Sequence, residues 1–142
     1  MPHEGLAESG DVRPAQGLLA NSVSNAVVRL FAEYLGRGPT KARTVVSRDL
    51  ISVVLEDTLT KAERSLIERG QQDIVIQMRR ALQVAMREAL VEAVESLSNR
   101  RVIAFLSDQQ AKPDFAVESF VLEPLPQAAA ERPVGSVDGN SR

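Results

Sequence analysis

Apolar residues recur at three- and four-residue intervals from Val23 through Val27, Leu30 and Phe31 to Tyr34. That is the period of one helix face, so a helix is predicted over residues 22–35. Asn21 or Ser22 can cap its start, and Gly36 can end it with a positive φ. Gly38-Pro39 then turns the chain, because proline disfavours helical backbone in the residue before it. The pattern changes next to short β-branched runs. Thr44-Val45-Val46 and Leu50–Leu55, separated by the turn residues Ser47-Arg48-Asp49, predict an antiparallel hairpin with Ile51, Val53 and Leu55 on one face. Thr60-Lys61-Ala62-Glu63 has the form of a capping box, in which hydroxyl and carboxylate each satisfy a free backbone donor, and it opens a short helix that Gly70 stops.

The longest periodic stretch runs from Gln72 to Ser98. Ile74, Met78, Leu82, Met86, Leu90 and Val94 step by four, with Val75, Ala85, Ala89, Ala93 and Leu97 beside them, which predicts an amphipathic helix of about seven turns. Met78 and Met86 read as core fillers, and the arginines Arg79, Arg80 and Arg87 with Glu88, Glu92 and Glu95 as the solvated side. A pure step of four drifts around the helix axis, so this stripe needs a broad partner: a sheet face or a second copy of the helix. Arg101–Leu106 and Phe115–Leu122 predict two further strands joined by a polar connection over residues 107–114. Arg100-Arg101 reads as solvated.

The order α-β-β-α-α-β-β predicts an α+β two-layer sandwich, a four-stranded, mainly antiparallel sheet with helices on one face and one long amphipathic helix. Residues 1–20 and 125–142 carry scattered prolines and glycines without periodicity and read as disordered tails flanking a single domain at 21–124.

Composition narrows the chemistry. The 142-residue chain has no cysteine and one histidine, His3, which lies in the N-terminal tail. Thiolate nucleophiles, disulfides and cysteine metal sites are therefore excluded, and a histidine base or metal ligand has no place in the domain. No apolar run reaches the roughly 18–20 residues that span a bilayer, and the N-terminus lacks a basic start followed by an apolar stretch, so a cytoplasmic protein with no direct membrane insertion is expected. Within residues 21–124, fourteen Lys and Arg face fourteen Asp and Glu. A neutral domain with few aromatic residues does not look like a nucleic-acid binder.

Two candidate sites stand out. Arg37, Lys41, Arg43 and Arg48 fall within fifteen residues of Tyr34 with no acid among them. Arg37, Gly38, Thr40, Lys41 and Arg43 form a candidate anion site, since arginine offers a planar donor fork and a glycine-rich turn exposes backbone N–H groups. Strand alternation sends Lys41 and Arg43 to the same side. The plainer reading is a solvated helix-to-strand connection. The triplet Gly36-Arg37-Gly38 follows a helix and precedes a strand, the reverse of a phosphate-cradling loop. Glu56, Asp57 and Asp108 end strands and could serve as a metal or acid–base set, against the plainer reading of helix capping and turn formation. No cofactor is implied, and the absence of usable His and Cys weakens the enzyme reading.

Three blocks carry a resemblance: Ser24-Asn25-Ala26-Val27-Val28 with Gly36-Arg37-Gly38-Pro39-Thr40-Lys41-Ala42, then Leu55-Glu56-Asp57-Thr58-Leu59-Thr60-Lys61-Ala62-Glu63, then Arg101-Val102-Ile103-Ala104-Phe105-Leu106-Ser107-Asp108. Over about residues 22–124 the chain resembles the MpsC family. The resemblance implies a small bacterial protein associated with a membrane system linked to sodium-coupled membrane potential and inorganic-carbon uptake, and it brings no catalytic residues. Some relatives hold two copies of the domain and this chain holds one, which together with the long apolar stripe leads to an expected homodimer. The function expected is a non-enzymatic accessory or regulatory protein of a membrane transport complex, binding a small anion at the Gly36–Arg43 loop. The alternative is an enzyme acting on a phosphorylated or carboxylated small molecule.

Overall fold

A computed structural model describes residues 12–126, with side chains from Ala15 onward. Residues 1–11 and 127–142, the greater part of both predicted tails, lie outside the described residues. The elements are helix α1 (Val12–Leu35), strands β1 (Lys41–Ser47) and β2 (Leu50–Glu56), helices α2 (Lys61–Glu68) and α3 (Gln72–Ser98), and strands β3 (Val102–Gln110) and β4 (Phe115–Leu122). The sheet order is β1-β2-β4-β3 with every neighbour antiparallel. The α+β architecture and its element order are those the periodicity predicts.

Three boundaries differ. Strand β1 starts at Lys41, three residues before the expected Thr44, so Lys41 and Arg43 of the candidate anion loop lie on a strand. Helix α1 begins at Val12, ten residues before the first expected helical position, so residues 12–20 are helix and not tail. Pro14 falls in the first turn, where a missing N–H costs no intrahelical bond, and Leu18, Leu19 and Ala20 continue the helix with strong helix formers. Strand β3 runs on to Gln110 through residues read as a connection. Pairing with β4, including Asp108↔Val117 and Gln110↔Phe115, carries these polar residues in extended form although their side chains lack β propensity.

Gly36 ends α1 with φ +90, and its N–H is satisfied by the Ala32 carbonyl at 2.8 Å. Gly38 is favoured for another reason. A Cβ there would stand 3.1 Å from both the Val28 Cγ1 and the Val28 carbonyl oxygen, a tight contact that would push the chain a few tenths of an ångström away from α1.

One sheet face is covered. Val23, Val27 and Phe31 of α1 and Met86, Leu90 and Val94 of α3 pack on Ile51, Val53, Leu55, Phe105, Ala116, Phe120 and Leu122. The sheet face therefore supplies the broad partner that the α3 stripe needs. The stripe itself is displaced by one position at its start. Val75 and Arg79 are buried, whereas Ile74 and Met78 are about half exposed, so Met86 is a core residue and Met78 is not. Val75 joins Leu59, Ile67 and Ala111 in a second, smaller cluster beneath α2. No helix among the described residues is long and apolar enough to cross a membrane.

Candidate functional site

The segment from Glu56 to Glu63 links β2 to α2 and is gripped from four directions. Asp57 takes left-handed backbone, φ +60, a conformation that Asp tolerates better than most residues. This bends the chain out of the sheet and points the next carbonyls toward Arg37. The Arg37 Nη1 donates to the Asp57 carbonyl at 3.0 Å and to the Leu59 carbonyl at 2.7 Å, while Nη2 reaches the Asp57 Oδ2 at 3.1 Å. Arg64 of α2 donates to Asp57 Oδ1. Desolvation alone would raise the Asp57 carboxyl, but the Thr40 hydroxyl and the two guanidinium groups outweigh it and hold the pKa below its usual value.

Asp114, in the β3–β4 connection, takes the other side of the segment. Its Oδ1 accepts from the Thr58 hydroxyl at 2.9 Å and its Oδ2 from the Leu59 N–H at 2.9 Å, and its carbonyl accepts from the Asp57 N–H at 3.2 Å. Beneath lies a buried ion pair. Arg79 of α3 donates through Nε to Glu63 Oε2 and through Nη2 to Glu63 Oε1, both at 2.7 Å, with a further bond from Nη2 to the Thr58 carbonyl at 2.7 Å. Their side chains are 2% and 3% exposed. Glu63 also completes the capping box with Thr60 that the sequence predicts. Burial pushes the Glu63 carboxyl up, and Arg79 with the Thr60 contacts overcomes that push and lowers it.

Beside this hub is a cleft of about 450 Å³ at the end of the sheet, between α2 and the β3–β4 connection. It brings together Thr40, Lys41, Glu56 and Asp57 from the two candidate sets, and adds Arg64, Glu68, Lys112 and Asp114, which sequence reasoning did not single out. It does not include Arg37, Gly38, Arg43 or Asp108. Arg37 is committed to Asp57 and two carbonyls, Arg43 sits exposed on edge strand β1, and Asp108 is exposed on the opposite edge strand, where its Oδ1 accepts from the Gln109 N–H at 2.8 Å. Three cations and four carboxylates line the cleft, so it holds no surplus of positive charge. No cluster of three or more acidic or histidine side chains suited to a metal ion occurs among the described residues.

Two arginines read as solvated are not. Arg79 is the buried partner described above. Arg100 caps the far end of the sheet, donating to the Asp49 Oδ1 at 2.8 Å, the Arg48 carbonyl at 2.7 Å and the Glu123 carbonyl at 3.0 Å. A third group without a sequence assignment is Glu118, fully buried on β4, with neither carboxylate oxygen hydrogen-bonded. Its only sequence signal is an acid within the apolar run Phe115–Leu122.

Arg37 gives a direct test of the hub's upper half. Arg37→Ala removes three hydrogen bonds from a partly exposed site, with an expected loss of about 1–2 kcal/mol in urea unfolding and faster amide exchange at Leu59. Arg37→Lys retains charge without the fork and should fall between.

Comparison with known proteins gives two matches. The model of the family described as the Na+-translocating membrane potential-generating system (MpsC) matches residues 15–124. A curated relative, the uncharacterized protein YbcI of Bacillus subtilis (strain 168), is 26% identical over 112 residues, covering 78% of this chain and 90% of the relative. No solved structure matches the chain significantly.

Proposed function

The chain belongs to the MpsC family, and on that premise we propose that it is a non-catalytic accessory protein of a Na+-translocating, membrane-potential-generating system, acting from the cytoplasmic side while other subunits carry the ion path. One observation supports the accessory role over the enzyme reading. Two carboxylates of the segment Glu56–Glu63 that an enzyme could use as acid or base, Asp57 and Glu63, are already taken up by arginines. Asp57 is held by Arg37 and Arg64, and Glu63 by Arg79. A general base works best with a pKa near the operating pH. Asp57 and Glu63 are instead lowered. The hub therefore reads as a rigid joint that holds α2, α3 and the β3–β4 connection in fixed relation, as a docking protein requires.

The test is a deletion strain of the host organism whose membrane potential is followed with a voltage-sensitive dye in sodium and in potassium media. Loss of the protein should lower the potential in sodium medium only, and the wild-type chain should restore it. An unchanged potential in sodium medium would remove the accessory reading.

A further inference from the structure

The helices cover one face of the sheet, and among the described residues nothing covers the other. Three rows of that open face are built from β1 residues Arg43, Val45 and Ser47, β2 residues Leu50, Ser52 and Val54, β4 residues Val117, Ser119 and Val121, and β3 residues Ala104, Leu106 and Asp108, since directly paired residues share a face. They are apolar for a solvated surface. Leu106 is 65% exposed, Val45 52% and Leu50 41%. Its central polar groups need nothing from water, because the Ser52 and Ser119 hydroxyls bond each other at 2.8 Å. Burying this face therefore leaves no orphaned donor at its middle.

Within these three rows charges stand only on the two edge strands, and they are opposite; the end row Lys41, Glu56, Phe115 and Gln110 is separate, its Lys41, Glu56 and Phe115 lining the cleft. Arg43, Val54, Val117 and Asp108 form one row across the four strands, with the cation on one edge strand and the carboxylate on the other. Both are exposed, and among the described residues neither has an ion-pair partner. A two-fold axis lying between two such faces and running along the strands exchanges β1 with β3 and β2 with β4 while keeping each row level. Arg43 of each copy then lies over Asp108 of the other. The next row behaves the same way, bringing Val45 over Leu106 and the Ser52–Ser119 pair over itself. Leu50 meets Val121 in the row beyond. These three rows are thus complementary to themselves in charge, size and polarity, as an isologous contact requires, while the end row sets Lys41 over Gln110 and Glu56 over Phe115 at the rim of the contact.

We propose that the open sheet face is a homodimer interface in which two copies stack face to face about this axis, with reciprocal Arg43–Asp108 pairs at both edges. The proposal goes beyond the accessory function and does not depend on it. Sheets stack about 10 Å apart with strands roughly 30° from alignment, a rotation that long arginine side chains can follow at the margins. Four strands about 4.8 Å apart and seven residues rising about 3.3 Å each make a face of roughly 20 by 23 Å. Two faces therefore bury on the order of 1,000 Å², at the small end of specific interfaces. Association should be in the micromolar range and should weaken with added salt, because its specific part lies in edge charges.

Sedimentation equilibrium of the full chain over a wide concentration range tests this, with circular dichroism confirming folding, since the altered residues are exposed. The wild type should pass from monomer to dimer. R43E and D108R alone should each weaken association about tenfold or more, because the two-fold symmetry doubles every repulsion. The double variant R43E/D108R should restore it. L106E should abolish it. A chain monomeric at every concentration would overturn the proposal and assign the face to another occupant. A dimer indifferent to L106E would place the interface elsewhere, and single charge variants that weaken association without rescue in the double would overturn the two-fold register.

Discussion

Arg79→Ala should destabilise the protein by about 3–5 kcal/mol, the largest loss expected from any single substitution in the charged hub. The reason is what remains behind. Arg79 and Glu63 are almost fully buried and joined by two bonds of 2.7 Å, and Arg79 also satisfies the Thr58 carbonyl. Truncation leaves a carboxylate in the interior without a counter-charge and a backbone acceptor without a donor, and each carries a desolvation penalty that water cannot reach to relieve. A domain of this size has total stability of roughly 5–15 kcal/mol, so the variant sits near the edge of folding. Arg79→Lys keeps the charge, loses the fork, and should cost about half as much. The double variant Arg79→Met/Glu63→Met should recover most of the loss, because it removes both charges together. It still forfeits the Glu63 bond to the Thr60 N–H, 2.8 Å in the wild type, worth about 1 kcal/mol. Urea unfolding of the three variants at one pH checks the ordering. If the double variant is as unstable as Arg79→Ala, the loss comes from packing and not from an unpaired charge.

The same residue shows where sequence reading stops. Helix α3 is bounded correctly by its periodicity because 27 residues repeat one pattern. The stripe, however, runs Val75, Arg79, Leu82, Met86, Leu90, Val94, with one step of three correcting the drift of the steps of four. A reading that follows apolar residues alone passes through Ile74 and Met78 instead, and Arg79 drops to the wrong side. Nothing in the neighbouring residues marks it, because its partner lies 16 positions away on another helix and is already explained as half of a capping box. Asp57 and Arg37 were legible as chemistry-bearing residues, but their mutual bond depends on the left-handed turn at Asp57, which no local pattern dictates. Lys41, Glu56 and Asp57 meet at one cleft because β1 and β2 are hairpin partners, so the hairpin signal foreshadows that part of the site. Arg43 and Asp108, grouped in sequence with two different sites, occupy opposite edges of one sheet row. Only strand order, with β4 between β2 and β3, reveals that.

Glu118→Gln should remove a pH dependence of stability that the wild type shows between acid and neutral conditions. Glu118 lies on the covered face of the sheet in a row with Thr44, Val53 and Ser107, and none of its oxygens is hydrogen-bonded. Burial raises its carboxyl from 4.5 to about 7, with the Ser107 hydroxyl and the Arg79 charge offsetting only part of that rise. In the unfolded chain the same group ionises near the ordinary glutamate value. Between the two values the native state holds a proton that the unfolded state has lost, so stability falls as pH rises through this window and levels off above about 7. The shift corresponds to roughly 3 kcal/mol between full protonation and full ionisation. Asp57 and Glu63 act in the opposite sense, since their lowered values make stability fall at pH below the ordinary carboxylate range. Stability should therefore be greatest on the acid side of neutral, near pH 5, and not at physiological pH. Urea unfolding across pH 4 to 8 should show this maximum in the wild type, and in Glu118→Gln a curve that stays level from pH 5 to 8. A wild-type curve that is level from pH 5 to 8 would mean that Glu118 is already ionised in the folded protein, with the Arg79 charge favouring that form.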